Sequence, residues 1–170
     1  MREIWTIGHS NKSFQDFLEI LKVYKIEILA DVRSFPSSRK FPWFNKEYFS
    51  ENLPSEGIDY TLIKNLGDRR KVKPDSHNTA WKNLQFRAYA DYMESPQFLE
   101  GINELINYAS QKRTAYMCSE VLWWRCHRSM ISDYLKLKGW NVIHIIGINK
   151  TQEHPYTKPS KIINDRLNYS

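Results

Sequence analysis

The chain has 170 residues, 41% of them hydrophobic and 26% charged, with a formal net charge of +6 at pH 7. That length suits one domain and buries roughly two thirds of the unfolded surface, enough for a core without staples. Two cysteines are too few for a disulfide scaffold, and without a long apolar run there is no transmembrane helix.

The first residues, Met1-Arg2-Glu3-Ile4-Trp5, enter a strand pattern directly and lack the form of a signal peptide, which predicts a cytoplasmic protein. In that compartment the cysteines read as free thiols or a reactive pair. The basic balance favours anionic partners, a nucleotide or nucleic acid among them, and no membrane. An aromatic share of 14% suits core and rim packing, or platforms on which bases stack.

Residues 4–11 read as a short strand that ends in Gly8, His9 and Ser10. Ser13 is a good N-cap, and Phe14, Phe17, Leu18 and Leu21 recur at helical spacing. Residues 26–33 form a second strand, largely apolar and so buried on both faces. Asp31 and Arg33 close it, followed by Ser34, Ser37, Ser38, Arg39 and Lys40, with Pro36 breaking regular structure. A loop rich in serine and arginine suits an anion, because guanidinium groups bind phosphate bidentately. A structural Asp31–Arg33 ion pair fits the same residues.

Asn45 caps a helix that stops near Pro54, and 58–63 is a third strand. Residues 66–74 make a basic loop holding Arg69, Arg70, Lys71 and Lys73. The polar stretch through Ser76, His77, Asn78 and Thr79 is long enough for a mobile flap. Helices follow at 86–93 and 98–110, then a fourth strand at 113–118. A helix over 127–138 stops at Gly139, and 140–147 is the last strand. His144 lies inside it, where a core or edge histidine is expected. The tail, 148–170, is polar with Pro155 and Pro159, and its composition alone suggests a loose segment. The alternation predicts an α/β fold, a three-layer single domain with a mostly parallel sheet of about five strands. Right-handed crossovers put the strand ends on one rim.

Between the fourth strand and its helix runs Cys118-Ser119-Glu120-Val121-Leu122-Trp123-Trp124-Arg125-Cys126-His127-Arg128. Ligands in open α/β sheets bind outside the carboxyl ends of the strands, so this junction is the expected site. A helix N-terminus there attracts anions and lowers the pKa of a nearby thiol. The catalytic candidates are Asp31 and Glu120 as general base, His127 as proton partner, and Cys118 and Cys126 as nucleophile or redox pair. The substrate-binding candidates are His9, Ser10, Arg33, Ser38, Arg39, Arg69, Arg70, Arg125 and Arg128. Zinc accepts a set such as Cys118, Cys126, His127 and His9, but the spacing matches no standard finger or ribbon, so no metal is assigned and no cofactor named. Cysteines also serve as small buried hydrophobes, and Glu120 with Arg125 or Arg128 can pair simply to fix the turn. The expected function is an enzyme with an anion-binding cleft, a hydrolase or transferase acting on a nucleotide, nucleic acid or other phosphorylated substrate. The alternatives are a non-catalytic nucleic-acid-binding module and a cysteine-dependent or metal-binding protein.

Six segments occur in order: Thr6-Ile7-Gly8-His9-Ser10, Asp31-Val32-Arg33 with Pro36-Ser37-Ser38-Arg39, Leu66-Gly67-Asp68-Arg69-Arg70, Met117-Cys118-Ser119-Glu120, Cys126-His127-Arg128 and His154-Pro155-Tyr156-Thr157. In these the chain resembles the domain of unknown function 488 family. Asp68 departs from the pattern, standing where glycine is expected more often. The resemblance implies one α/β domain over 1–170 with a shared site, and implies no reaction. It also implies that the tail packs on the body, with the His-Pro-Tyr-Thr segment near the site.

Overall fold

The computed structural model describes residues 2–170. Strands Glu3–Gly8 (β1), Ile28–Asp31 (β2), Asp59–Leu62 (β3), Thr114–Cys118 (β4) and Asn141–Gly147 (β5) are parallel, and Lys150–Glu153 (β6) returns antiparallel beside β5. Their order across the sheet is β3-β2-β4-β1-β5-β6. The sheet thus has six strands rather than five. The extra one, β6, is wholly exposed and polar, so it carries no apolar signal, as suits an edge strand. Lys161–Ile163 (β7) and Arg166–Asn168 (β8) form a separate hairpin, so the tail is regular structure and not the loose segment its composition suggests.

Phe14–Val23 (α1) begins where the Ser13 hydroxyl accepts from the Asp16 N–H at 3.1 Å, a cap that contributes about 1 kcal/mol. Asn45 stands at the N-cap of Lys46–Asn52 (α2), but its carboxamide accepts from Ser38 N–H instead of from the helix. Phe17, Leu21, Phe44 and Phe49 pack from this side against Trp5, Ile7, Ala115 and Met117. Leu84–Tyr92 (α3), Pro96–Gln111 (α4) and Arg128–Leu137 (α5) cover the other face, where Tyr89, Ile102, Leu105 and Ile131 meet Ile4, Val32, Tyr116 and Val142. The pleat divides β1 between the two faces, Trp5 and Ile7 to one and Ile4 to the other. The result is three layers around two cores, and burying each of these large apolar side chains contributes roughly 1.5–3 kcal/mol. Among the described residues no helix is long and apolar enough to cross a membrane.

The register sets the site. β4 lies between β1 and β2, with Gly8 opposite Cys118 and Asp31 opposite Met117. The backbone pairing runs on past the strand ends: His9 N–H donates to the Cys118 carbonyl at 3.0 Å, Ser10 N–H to Ser119 at 2.9 Å, and Val32 N–H to Met117 at 3.0 Å. Position 8 admits no side chain, because a Cβ there falls 1.7 Å from the Glu120 carbonyl oxygen. Glycine lets the segment after β4 cross directly over the end of β1.

Candidate active site

A cavity of about 800 Å³ opens where β1, β2 and β4 end. Cys118, Cys126, His127, His9 and Arg33 line it, with Ser10, Ser38, Glu120, Arg69 and Arg125 around them and Phe35, Phe41, Phe86 and Tyr89 as apolar wall.

Cys118 ends β4 and Cys126 precedes α5, and a single helical turn at Trp123–Arg125 folds the loop between them. Both thiols are buried, and their sulfurs stand 2.8 Å apart. Arg128 reaches them from the first turn of α5. Its Nε donates to Cys118 Sγ at 3.0 Å, and its backbone N–H to Cys126 Sγ at 3.3 Å. The guanidinium is fully buried, and its other donors go to Thr6 Oγ1 and to the carbonyls of Glu120 and Val121. Among the described residues no carboxylate forms an ion pair with it. A buried guanidinium keeps its charge and requires an anion beside it. Here the neighbours able to supply one are the sulfurs.

Burial alone raises a thiol's pKa. At Cys126 the hydrogen bond from Cys118, the Arg128 charge and His127 reverse that effect and hold it well below the ordinary thiol range. Cys118 moves the other way, pushed well above that range by burial and by its neighbour Cys126. The two shifts are opposite, so Cys126 is the thiol more readily ionised and Cys118 the one that keeps its proton longer.

His127 donates its Nε2–H to the Val32 carbonyl at 2.7 Å, and its buried Nδ1 has no hydrogen-bond partner. Burial lowers its pKa, but the Cys126 sulfur, Asp68 and the Val32 carbonyl outweigh burial and leave it raised. Cys126 and His127 thus each favour the charged form of the other.

His9 differs. Arg33 can only donate, so the 3.2 Å contact from its Nη1 makes His9 Nε2 an acceptor, and Nδ1–H donates to the Ser10 carbonyl at 2.8 Å. That tautomer is neutral. Burial, with the Arg33 charge behind it, lowers the pKa to about 4 in spite of the Ser10 carbonyl. Arg33 itself is held by Asp31, which accepts from Nε at 2.9 Å, Nη2 at 2.7 Å and the Arg33 backbone N–H at 3.0 Å, and also from the Tyr60 hydroxyl. Asp31 does not line the cavity, and its oxygens face Arg33 and Tyr60.

The other predicted residues divide. Glu120 and Arg125 are exposed at the cavity mouth. Ser38 Oγ accepts from Phe41 N–H, shaping the loop that walls the cavity. Arg69 lies over the exposed Phe35 ring at 4.9 Å. Arg39 and Arg70 are not part of the cavity: Arg39 is exposed, and Arg70 packs 3.6 Å over Tyr92 with its donors on the Gly67 and Lys64 carbonyls. Asp68, singled out above only as a departure from the family pattern, lines the cavity and attracts His127. Tyr89 meets the His127 ring edge-on at 5.1 Å. No local signal marks Tyr89, since it reads as one more apolar position of α3. Among the described residues, no three His, Cys, Asp or Glu side chains converge to hold a metal ion, and the set Cys118, Cys126, His127 and His9 is no exception.

The model of one family, described as domain of unknown function DUF488, matches residues 13–135. No curated protein and no solved structure matches the chain.

Proposed function

The chain belongs to the DUF488 family, whose matched span contains both cysteines and Arg128, and on that footing we propose that it is a thiol-dependent enzyme with an anion-binding cleft. One observation carries the reading. A fully buried guanidinium with no carboxylate partner bonds to one sulfur of a touching pair. Two cysteines serving only as small hydrophobes have no use for that charge, which costs several kcal/mol to bury unless it is compensated.

Cys126 is the nucleophile. Its thiolate forms a bond to the electrophilic atom of the substrate as the bond to the leaving group breaks, and the His127 proton goes to the leaving group. Water then attacks the same atom, the bond to Cys126 breaks to restore the thiolate, and the proton lost by the water returns to His127. Cys118 keeps the shared proton and hydrogen-bonds the thiolate between turnovers. Arg69, Arg125, Ser10 and Ser38 receive the anionic part of the substrate. Asp31 acts indirectly, by orienting Arg33. A nucleotide or nucleic-acid substrate is favoured by guanidinium groups interleaved with the aromatic rings of Phe35, Phe41 and Phe86.

The test is alkylation by iodoacetamide of the wild-type protein and of Cys118→Ser and Cys126→Ser. One thiol should react fast at neutral pH, remain fast in Cys118→Ser and disappear in Cys126→Ser. Nucleotides or oligonucleotides that occupy the cleft should slow it. Two sluggish thiols in the native wild-type protein would overturn the proposal.

A further inference from the structure

Behind Arg128 a second set of buried polar groups leads away from the cavity, and the chemistry above does not use it. Arg128 Nη1 donates to Thr6 Oγ1 at 2.8 Å. A guanidinium only donates, so the Thr6 oxygen accepts there and keeps its own proton available for Nδ1 of His144, 2.6 Å away. With Nδ1 accepting, His144 carries its proton on Nε2, which donates to His154 Nδ1 at 2.8 Å. His154 in turn donates Nε2–H to Asp133 Oδ1 at 2.8 Å. The Thr157 N–H, at 3.0 Å, the Thr157 hydroxyl, at 2.6 Å, and the Tyr169 hydroxyl, at 2.8 Å, complete the carboxylate. With that tautomer of His144, every proton in the line points the same way, from the guanidinium to the carboxylate. Thr6, His144, His154 and Asp133 are all buried. Trp123, from the loop between the cysteines, lies flat on the His144 ring with centroids 4.5 Å apart and planes 4° from parallel.

A region that needed only volume would be filled with apolar side chains, since a polar row is tolerated only when every member is satisfied. Here every member is satisfied, and the row ends on the guanidinium that faces the thiols. We propose that Thr6, His144, His154 and Asp133 are positioning residues that lock Arg128 against the sulfurs of Cys118 and Cys126. The proposal rests on the thiol-dependent reading. Thr6 presents a lone pair, not a proton, because His144 takes that proton. This fixes Nη1, and the rigid plane of the guanidinium then aims Nε at Cys118. The carboxylate at the far end polarises each donor along the line. The His154-Pro155-Tyr156-Thr157 segment acquires a role, because His154 and Thr157 hold Asp133.

The groups around Cys126 that set its titration come from four places: Cys118 and Tyr116 on β4, His127 and Arg128 at the start of α5, Tyr89 on α3, and Asp68 after β3 acting on His127. Glu120 and Arg125 face the same cavity. None of them changes in the variants below.

The experiment is the pH dependence of iodoacetamide alkylation on the full chain as wild type, Thr6→Val, Thr6→Ser and His144→Phe. Valine keeps the shape and removes the oxygen, and serine keeps the oxygen. Phenylalanine keeps a ring on Trp123 and removes the acceptor. Thr6→Val and His144→Phe should move the midpoint up by about one pH unit, which slows alkylation about tenfold on the acid side of the midpoint and spares the alkaline plateau. Thr6→Ser should follow the wild type. A folded Thr6→Val or His144→Phe with the wild-type midpoint overturns the relay. A measurement on the wild type needs no variant: nitrogen NMR must find His144 neutral with its proton on Nε2, and the other tautomer reverses the line and overturns the idea. An ordinary thiol midpoint in the wild type would instead sink the thiol-dependent reading itself, so the two failures are distinguishable.

Discussion

Arg128 meets the Cys118 sulfur at 3.0 Å inside the protein, and no acidic side chain shares its charge. Replacing it removes both the counter-charge and the donor of four side-chain hydrogen bonds, to Cys118, Thr6, Glu120 and Val121. Arg128→Met should raise the midpoint of the fast alkylation and slow the neutral-pH rate at least about tenfold. It should also lower stability by about 3–5 kcal/mol in denaturant titration, since buried acceptors lose their donors. Arg128→Lys restores a charge but not a planar fork, so it should recover part of the stability and little of the rate. An unchanged neutral-pH rate in Arg128→Met would contradict the assignment.

Hydrogen peroxide should join the two sulfurs. The Cys126 thiolate attacks the peroxide oxygen, releasing hydroxide and leaving a sulfenic acid, and the Cys118 thiol then displaces that oxygen as water. Intact mass should fall by two hydrogens in the wild type, with both thiols lost together. Cys118→Ser should stop at the sulfenic acid, which dimedone traps, and Cys126→Ser should be inert. Intermolecular dimers in place of the internal bond would count against the pairing.

Acid should destabilise the protein before its carboxylates titrate. His9 and His144 are neutral in the folded state, with pKa values lowered from 6.5 to about 4 and about 2, burial being the main cause in each. A base whose folded pKa is lowered lends stability that is complete above its unfolded pKa. That stability is lost as pH falls toward the folded value, because the unfolded chain binds the proton first. For His9 the gap between 6.5 and about 4 corresponds to about 3 kcal/mol. His127 has the opposite sign: its raised pKa stabilises below 6.5, and that part is lost as pH rises through the folded value. The downward shifts of His9 and His144 are the larger ones, so acidification gives a net loss. Denaturation midpoints measured from neutral pH down to about 4 should decline steadily from about 6.5, the unfolded imidazole value. A flat profile over that window would refute this.

Asp133→Asn exchanges one carboxylate oxygen for an NH₂ group facing donors from His154, Thr157 and Tyr169. Leaving such groups mismatched in the interior should cost about 2–3 kcal/mol. For a domain of this size, that lowers Tm by roughly 4–12 °C in a thermal melt. A shift within the error of the melt would mean that the carboxylate's charge does not matter to the fold.

The place of the cavity was legible in the sequence because a strand-to-helix junction in a parallel sheet has a fixed position on the rim. Cys118 and His127 could be put there from their neighbours alone. The two-residue spacing of Asp31 and Arg33 made their ion pair one of two open readings, and the structure forms that pair, with a further bond from Tyr60 of β3. Register is not local, and nothing within β4 announces that β1 and β2 flank it. Arg128 reads as a surface ligand for anions, yet it is buried because Thr6, 122 positions away, accepts from it. His144 was legible as a core histidine. Its partner was not, because His154 follows a β6 made of four exposed polar residues, which look like loop. The packing of the tail was expected from the family resemblance and not from its composition.

Asp133 is made before the residues that satisfy it. His154, Thr157 and Tyr169 follow it by 21, 24 and 36 positions, so a ribosome delivers them after both cysteines and Arg128 are already out. Until they arrive, the carboxylate has no donors, the Thr6–His144 line has no end, and nothing holds the guanidinium still. On the reading proposed above, a nascent chain therefore carries both thiols before the guanidinium that activates them is fixed. On the thiol-dependent reading, the charge beside the sulfurs is held in place only once residues 154–169 have packed around Asp133.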